Sequence, residues 1–132
     1  MRIDGGCHCG YIQYEAEIDP AKVGICHCTD CQHFSGSPYR ASIPAPVGQF
    51  SLKGATKTYV KTAENGNRRA QVFCPECGTR MPHKVNGTEN MLIPAGVLDA
   101  DPGMRPTNSI FWKSKSPWYL SPQELPQFDG YK

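Results

Sequence analysis

The sequence predicts a mainly β protein folded as a single domain over residues 1–132. Short segments alternate apolar and polar residues in the manner of half-buried strands, and no segment carries the apolar stripe of an amphipathic helix. The 13 glycines and 12 prolines fall mostly between these segments, where they indicate turns. We therefore expect many short strands joined by turns.

Six segments show the strand alternation clearly, and turn-forming residues separate them. In chain order they are YIQYEAEI, YRASIPA, TKTYVKT, RRAQVF, MLIPAGV and NSIFWKS. The last segment runs into FWKSKSPWY, which we expect to be an edge strand that closes a sheet. On that interpretation Trp112, Trp118 and Tyr119 cover the core rather than stack on a ligand.

Charge and hydropathy exclude two classes of partner. Lys and Arg number 14 against 12 acidic residues, and the net charge of +2, with Arg68 and Arg69 as the one basic pair, is too small to predict nucleic-acid binding. The N-terminus has no apolar signal segment, and no stretch of about 18 apolar residues predicts a membrane span. We expect a cytoplasmic protein, for which a homodimer is one candidate assembly.

Seven cysteines in a reducing compartment favour metal binding over disulfides, because an odd number cannot pair completely within one chain. They fall into three groups, in GGCHCG, ICHCTDC and FCPECGT. The first and third groups each offer two thiolates in a short turn next to glycine, as zinc knuckles do. Together they predict one closed structural zinc site across 64 intervening residues, with ligands Cys7, Cys9, Cys74 and Cys77.

The middle group predicts a different kind of zinc site. Three protein ligands with one exchangeable position are typical of catalytic zinc, and the three cysteines are Cys26, Cys28 and Cys31. His33 is an alternative fourth ligand that would close the site. His27 lies between two ligands, so its ring is expected to point away from the metal.

These motifs resemble one known family. GGCHCG, CHCTDCQHFSGSP, FCPECGT and LDADP followed by FWKSKSPWY are similar to the glutathione-dependent formaldehyde-activating enzymes, or S-(hydroxymethyl)glutathione synthase (Gfa-like) family, from about Gly5 to Tyr119. The resemblance implies an Mss4-like fold of two small packed antiparallel sheets. It also implies two zinc ions per chain, a structural one at Cys7, Cys9, Cys74 and Cys77 and a catalytic one at Cys26, Cys28 and Cys31.

Zinc with three thiolates favours a further soft sulfur ligand, so its expected substrate is a thiol. The resemblance implies glutathione, or a similar thiol, and formaldehyde or another small aldehyde, condensed to S-hydroxymethylglutathione by a carbon–sulfur lyase-type enzyme. A non-catalytic Mss4-like interaction module and a glutathione carrier are the alternatives. A methionine sulfoxide reductase of type B would need a reactive cysteine after Cys77, and the sequence has none.

Substrate contacts are harder to predict than metal ligands. Ser35, Gly36 and Ser37 could donate hydrogen bonds to a carboxylate or simply form a turn. The cations Arg40, Lys113 and Lys115 could meet carboxylates or lie solvated on the surface. His8 and His83 have no ligand spacing and are expected to be surface or loop histidines.

Overall fold

The computed structural model describes residues 1–63, 65–119 and 124–131, in which ten strands outweigh one short α-helix, α1 (Thr29–Ser35). None of the helices in these ranges has the length and apolar character needed to cross a bilayer. The strands are β1 (Arg2–Gly6), β2 (Gln13–Glu17), β3 (Val23–Cys26), β4 (Arg40–Pro46), β5 (Phe50–Lys53), β6 (Lys57–Thr62), β7 (Arg68–Phe73), β8 (His83–Lys84), β9 (Asn90–Pro94) and β10 (Pro106–Ile110). Single 3-10 turns occupy Pro20–Lys22, Val47–Gln49, Ala95–Val97 and Trp112–Ser114. The predicted mainly β class is confirmed.

The described strands form two main sheets and a hairpin. A three-stranded antiparallel sheet has the order β1-β2-β5, and a five-stranded sheet has the order β10-β3-β4-β9-β8. Strands β6 and β7 form a separate antiparallel hairpin. The two sheets predicted from the family resemblance correspond to the three-stranded and the five-stranded sheet. The hairpin is additional, and β10 joins β3 in parallel at the sheet edge.

The core lies where the two larger sheets meet. In β2 the alternation buries Tyr14 and Ala16 while their neighbours face solvent. They belong to one buried cluster with Ile43 of β4 and Ile93 of β9, both of which are 0% exposed. Burial of these apolar side chains therefore holds the two sheets together.

All six predicted segments contain strands, but two of them end earlier than expected. MLIPAGV turns into the 3-10 helix at Ala95–Val97, and NSIFWKS leaves the sheet at Ile110. Phe111 has a φ of 55°, which ends the extended backbone. The predicted edge strand FWKSKSPWY is therefore wrong, and Trp112 and Trp118 are 55% and 68% exposed instead of covering the core.

The sequence did not predict four of the strands or the α-helix, because each of these elements is short or lacks a clear pattern of apolar residues. Strand β1 ends in two glycines, which normally disfavour strands, and β3 and β5 have four residues each. Strand β8 has two residues, and the seven residues of α1 are too few to show a helical period. These short strands are stabilised by hydrogen bonds to neighbouring strands, and the local sequence does not show that pairing.

Gly5 is a critical position in β1, which leads into the first cysteine turn. It forms a bridge with Leu98, and the Tyr14 hydroxyl donates a hydrogen bond to the Val97 carbonyl at 2.9 Å. A Cβ at this position would collide with both the Tyr14 hydroxyl and the Val97 carbonyl oxygen. Only glycine therefore fits between these groups.

We predict that Gly5→Ala lowers the free energy of unfolding by about 2–3 kcal/mol, because a backbone carbonyl cannot move aside as a flexible side chain can. Urea denaturation measures this loss. Gly48→Ala is the matched control, since a Cβ there meets nothing within 4 Å, and it should change stability by less than about 0.5 kcal/mol. Equal effects of the two substitutions would contradict the packing argument.

Candidate metal centres and active site

The structure gathers four cysteines from two distant turns. The Sγ atoms of Cys7, Cys9, Cys74 and Cys77 all lie within 4.8 Å of one another. The Cys7 and Cys9 sulfurs are 3.6 Å apart, and those of Cys9 and Cys74 are 3.9 Å apart. Sulfurs arranged tetrahedrally at about 2.3 Å from a zinc ion are separated by about 3.8 Å, so this donor set fits zinc.

Both turns owe their shape to a glycine in the left-handed region. Gly10, with a φ of 83°, donates its N–H to the Cys7 carbonyl at 3.2 Å. Gly78, with a φ of 77°, donates to the Cys74 carbonyl at 2.9 Å. Each glycine closes its turn directly after the second cysteine of a pair, as the sequence motifs predicted.

Thr79 connects the two turns. Its Oγ1 accepts the His8 N–H at 3.1 Å and lies 3.1 Å from the Cys77 sulfur. The hydrogen bond from this hydroxyl, aided by the Thr79 N–H, lowers the pKa of the Cys77 thiol to about 5. A thiolate is thus favoured at a position where a metal ligand must be deprotonated.

The remaining three cysteines meet at the junction of β3 and α1. The sulfurs of Cys26, Cys28 and Cys31 lie within 4.8 Å of one another. Cys26 ends β3, Cys28 caps the N-terminus of α1, and Cys31 lies one turn into the helix. The Cys28 sulfur accepts the Cys31 N–H at 3.3 Å, so the helix start itself brings these two thiols together.

Neither histidine of this segment joins the three sulfurs. The exposed His33 ring places Nδ1 2.9 Å from the Thr29 carbonyl and lies outside the sulfur group, so the closed alternative finds no support. His27 is 2% exposed and turns its Nε2 toward the Ser109 hydroxyl at 3.4 Å. It is a buried structural residue rather than a solvated one.

An aromatic wall surrounds His27 beside the three cysteines. The rings of Tyr39, Trp112 and Tyr119 lie 5.6, 5.2 and 6.1 Å from the His27 ring. Sequence reasoning assigned Trp112 and Tyr119 to the core, whereas the structure packs them on the ring of His27, the residue between Cys26 and Cys28. The break at Phe111 turns the chain so that these contacts form.

Gln32 attaches the same C-terminal segment to the cysteine loop. Its side-chain amide donates to the carbonyls of His27, at 2.8 Å, and Ser114, at 3.0 Å. Sequence reasoning gave this residue no role. The signal that could have identified it is its place directly after Cys31, where a helix carries its side chain back toward the loop.

Arg40 and Arg80 are half-buried and lie close to Cys31, and the half-buried His83 lies close to the two arginines. Burial raises the pKa of the Cys31 thiol, and Arg40 opposes this increase. Burial, followed by the charges of Arg40 and Arg80, lowers the pKa of His83 to about 4, so His83 is neutral at pH 7. Arg40 is therefore not a freely solvated surface residue, and His83 is not a surface histidine.

The other predicted substrate contacts have local roles. The Ser35 hydroxyl lies 2.6 Å from the Cys31 carbonyl and accepts the Ser37 N–H at 3.2 Å. Gly36 ends α1 with a φ of 62°, so this stretch forms the turn at the helix C-terminus. Lys115 packs its Nζ 4.0 Å above the Trp112 ring. Among the residues that the structure describes, no contact places Lys113 in the site.

Comparison with known proteins identifies the family of this chain. The model of the glutathione-dependent formaldehyde-activating enzyme family matches residues 2–114. The chain belongs to this family. The matched range of this member of the glutathione-dependent formaldehyde-activating enzyme family includes all seven cysteines and ends near the aromatic wall.

Two individual proteins are also similar. An uncharacterized lyase of Schizosaccharomyces pombe is 31% identical over 118 residues, which cover 74% of this chain and 79% of the relative. The crystal structure of a Rhodobacter sphaeroides protein shares the fold, with a TM-score of 0.61 at 20% identity, over 81% of this chain and 99% of that one. This member of the glutathione-dependent formaldehyde-activating enzymes thus has the fold of a solved structure.

Mutation should distinguish the two cysteine groups. Cys77→Ser removes one of the four sulfurs that join distant segments, so it should lower the melting temperature by about 10 °C or more, or prevent folding. Cys31→Ser should leave a folded protein, because its group lies within one local segment. Thermal denaturation followed by circular dichroism measures both. An equal loss, or a larger loss for Cys31→Ser, would contradict the assignment of structural and catalytic groups.

We expect two zinc ions of unequal lability. Four sulfurs close a tetrahedral site, whereas three leave a position through which a chelator can attack. Metal analysis during a chelator titration should therefore show one equivalent lost early and one retained. A single equivalent per chain, or two lost together, would show that the grouping is wrong.

Proposed function

We propose that this protein is a zinc-dependent enzyme of the carbon–sulfur lyase type. It combines glutathione, or a similar thiol, with formaldehyde or another small aldehyde to give S-hydroxymethylglutathione. Family membership and the lyase named among its relatives support this proposal. The zinc ion beside Cys31 would be catalytic and the other structural.

The observation that carries the proposal is the three-sulfur group with no fourth protein ligand. Among residues 1–63, 65–119 and 124–131, no histidine, cysteine or carboxylate completes the set of Cys26, Cys28 and Cys31. Cys31 is buried, whereas Cys26 and Cys28 are partly exposed to solvent. The group is thus anchored in the protein interior through Cys31 and is accessible to solvent through Cys26 and Cys28.

Zinc held by three thiolates, when bound here, accepts a further soft sulfur and lowers the pKa of that thiol. In the reaction, the thiol sulfur forms a bond to the aldehyde carbon. The π bond of the carbonyl breaks, its electron pair moves to oxygen, and the thiol proton ends on that oxygen. No oxidant or reductant is needed, and the reverse reaction cleaves the same carbon–sulfur bond.

The chain's own residues shape the approach to the sulfurs. The aromatic wall of Tyr39, Trp112 and Tyr119 packs around His27 and supports that side of the cysteine loop. Gln32 holds that wall against the His27 backbone. A rigid loop keeps the three sulfurs in one arrangement and so lowers the cost of binding a thiol substrate.

Thiols add to formaldehyde readily without a catalyst, so the same site could serve a glutathione carrier. The two roles differ in rate, because an enzyme accelerates exchange between the free and added aldehyde and a carrier does not. Exchange NMR on glutathione and formaldehyde, with and without the protein, measures this rate. Cys31→Ser is the control that removes one sulfur from the open group.

Thiol binding itself can be tested with cobalt in place of zinc. Adding glutathione should strengthen the sulfur-to-metal charge-transfer band, because a thiolate becomes the fourth ligand. S-methylglutathione, whose sulfur is blocked, should leave the spectrum unchanged. His33→Ala should retain the metal. A spectrum that stays flat through millimolar glutathione would overturn the proposal and favour a zinc-bearing interaction module.

A further inference from the structure

Arg40, Arg80 and His83 form a group of side chains that the proposed chemistry has not used. Four of their nitrogens are buried and have no hydrogen-bond partner among the described residues. These atoms are Nε of Arg40, Nε and Nη1 of Arg80, and Nδ1 of His83. Buried polar groups in proteins are nearly always paired, so these four nitrogens need a partner, which a ligand with several acceptor oxygens can supply.

Strand register places two of these side chains on the face of the five-stranded sheet that carries Cys26. Arg40 is directly opposite Cys26 in the β3–β4 pair, and opposite residues share a face. Every second residue of a strand lies on the same face, so Pro44 of β4 shares the face of Arg40. Pro44 pairs with Leu92 of β9, and Leu92 pairs with His83 of β8. Cys26, Arg40 and His83 therefore project to one side.

Arg80 reaches the same region from the second cysteine turn and is held in place. Its Nη2 donates to the side-chain oxygen of Gln71, which is 6% exposed. Its guanidinium lies 5.1 Å from the centre of the Phe34 ring on α1, one turn after Cys31. These contacts fix the guanidinium while leaving two of its nitrogens unpaired.

The charge of this group is not balanced by protein carboxylates. None of the salt bridges among the described residues includes Arg40 or Arg80. Arg40 and Arg80 repel each other, so the two guanidiniums lie near one another. Two guanidiniums beside a neutral histidine suit an anion, because their planar N–H groups match the geometry of a carboxylate.

We propose that Arg40, Arg80 and His83 form a subsite that binds a carboxylate of the thiol substrate beside the three sulfurs. This inference rests on the proposed function. The three residues are only half-buried, so a ligand can approach from solvent. Glutathione has a carboxylate at each end and its sulfur between them, so one end can occupy this subsite while the sulfur lies at the cysteines.

The ligand itself provides the first test and requires no variant. Calorimetric titration of the zinc-loaded protein compares glutathione with its glycyl monoethyl ester and its diethyl ester. Masking the bound carboxylate should weaken binding by roughly tenfold to a hundredfold. Weakening by both esters identifies the glycyl carboxylate, and weakening by the diester alone identifies the γ-glutamyl one. Equal affinity for all three thiols overturns the subsite.

Variants provide the second test. Arg80→Gln and Arg40→Gln should each weaken glutathione binding by a similar factor and reduce the difference between glutathione and the diester. Arg105→Gln is the matched control, because Arg105 is exposed and contacts the Met104 carbonyl. It should leave both affinities unchanged.

Zinc content and melting temperature, measured on each variant, separate this role from a purely structural one. If the arginines only offset the charge of the thiolates, their loss would release zinc while the difference between glutathione and the diester persisted, and the subsite would be overturned. A protein that binds glutathione and the diester equally keeps the proposed function without the subsite. If the wild-type protein binds none of these thiols, the proposed function fails, and the subsite fails with it.

Discussion

The convergence of four cysteine sulfurs is the constraint on which the rest of the structure depends. It joins the turn after β1 to the turn after β7 and so ties the three-stranded sheet to the hairpin. Cys74 is 0% exposed, so the junction is part of the interior. Arg80 and His83 lie in the segment that follows Cys77, and this junction together with the β8–β9 pairing positions them near Arg40.

The three-cysteine group is assembled by different means. Its sulfurs come from one strand end and one helix start, and the Cys28 cap brings two of them together within four residues. The surroundings come from elsewhere in the chain, since Arg40 pairs with Cys26 across two strands and Trp112 packs on His27 from the C-terminal segment. The local group of thiols thus has arginine side chains beside it, and aromatic rings surround the histidine of its loop.

Strand prediction succeeded where alternation coincides with burial and failed where pairing is decided elsewhere. YIQYEAEI contains β2, because its apolar Tyr14 and Ala16 are buried while the polar residue before each of them is exposed. RIDGG contains two glycines and gives no such signal, yet it pairs with β2 and becomes a strand. The segment after Ile110 looks like a strand in sequence, but the left-handed backbone of Phe111 diverts it.

The sequence by itself determined which cysteines lie together, because short spacings and adjacent glycines limit each motif to one local geometry. It also indicated the mainly β class, but it left open whether His33 joins the three-cysteine group. Only the tertiary structure decided the neighbours of that group. No local sequence pattern predicts that Arg40, Arg80 and His83 lie near one another, because they are separated by as many as 43 positions. Their proximity follows from strand register and from the four-sulfur junction, which are properties of the folded chain.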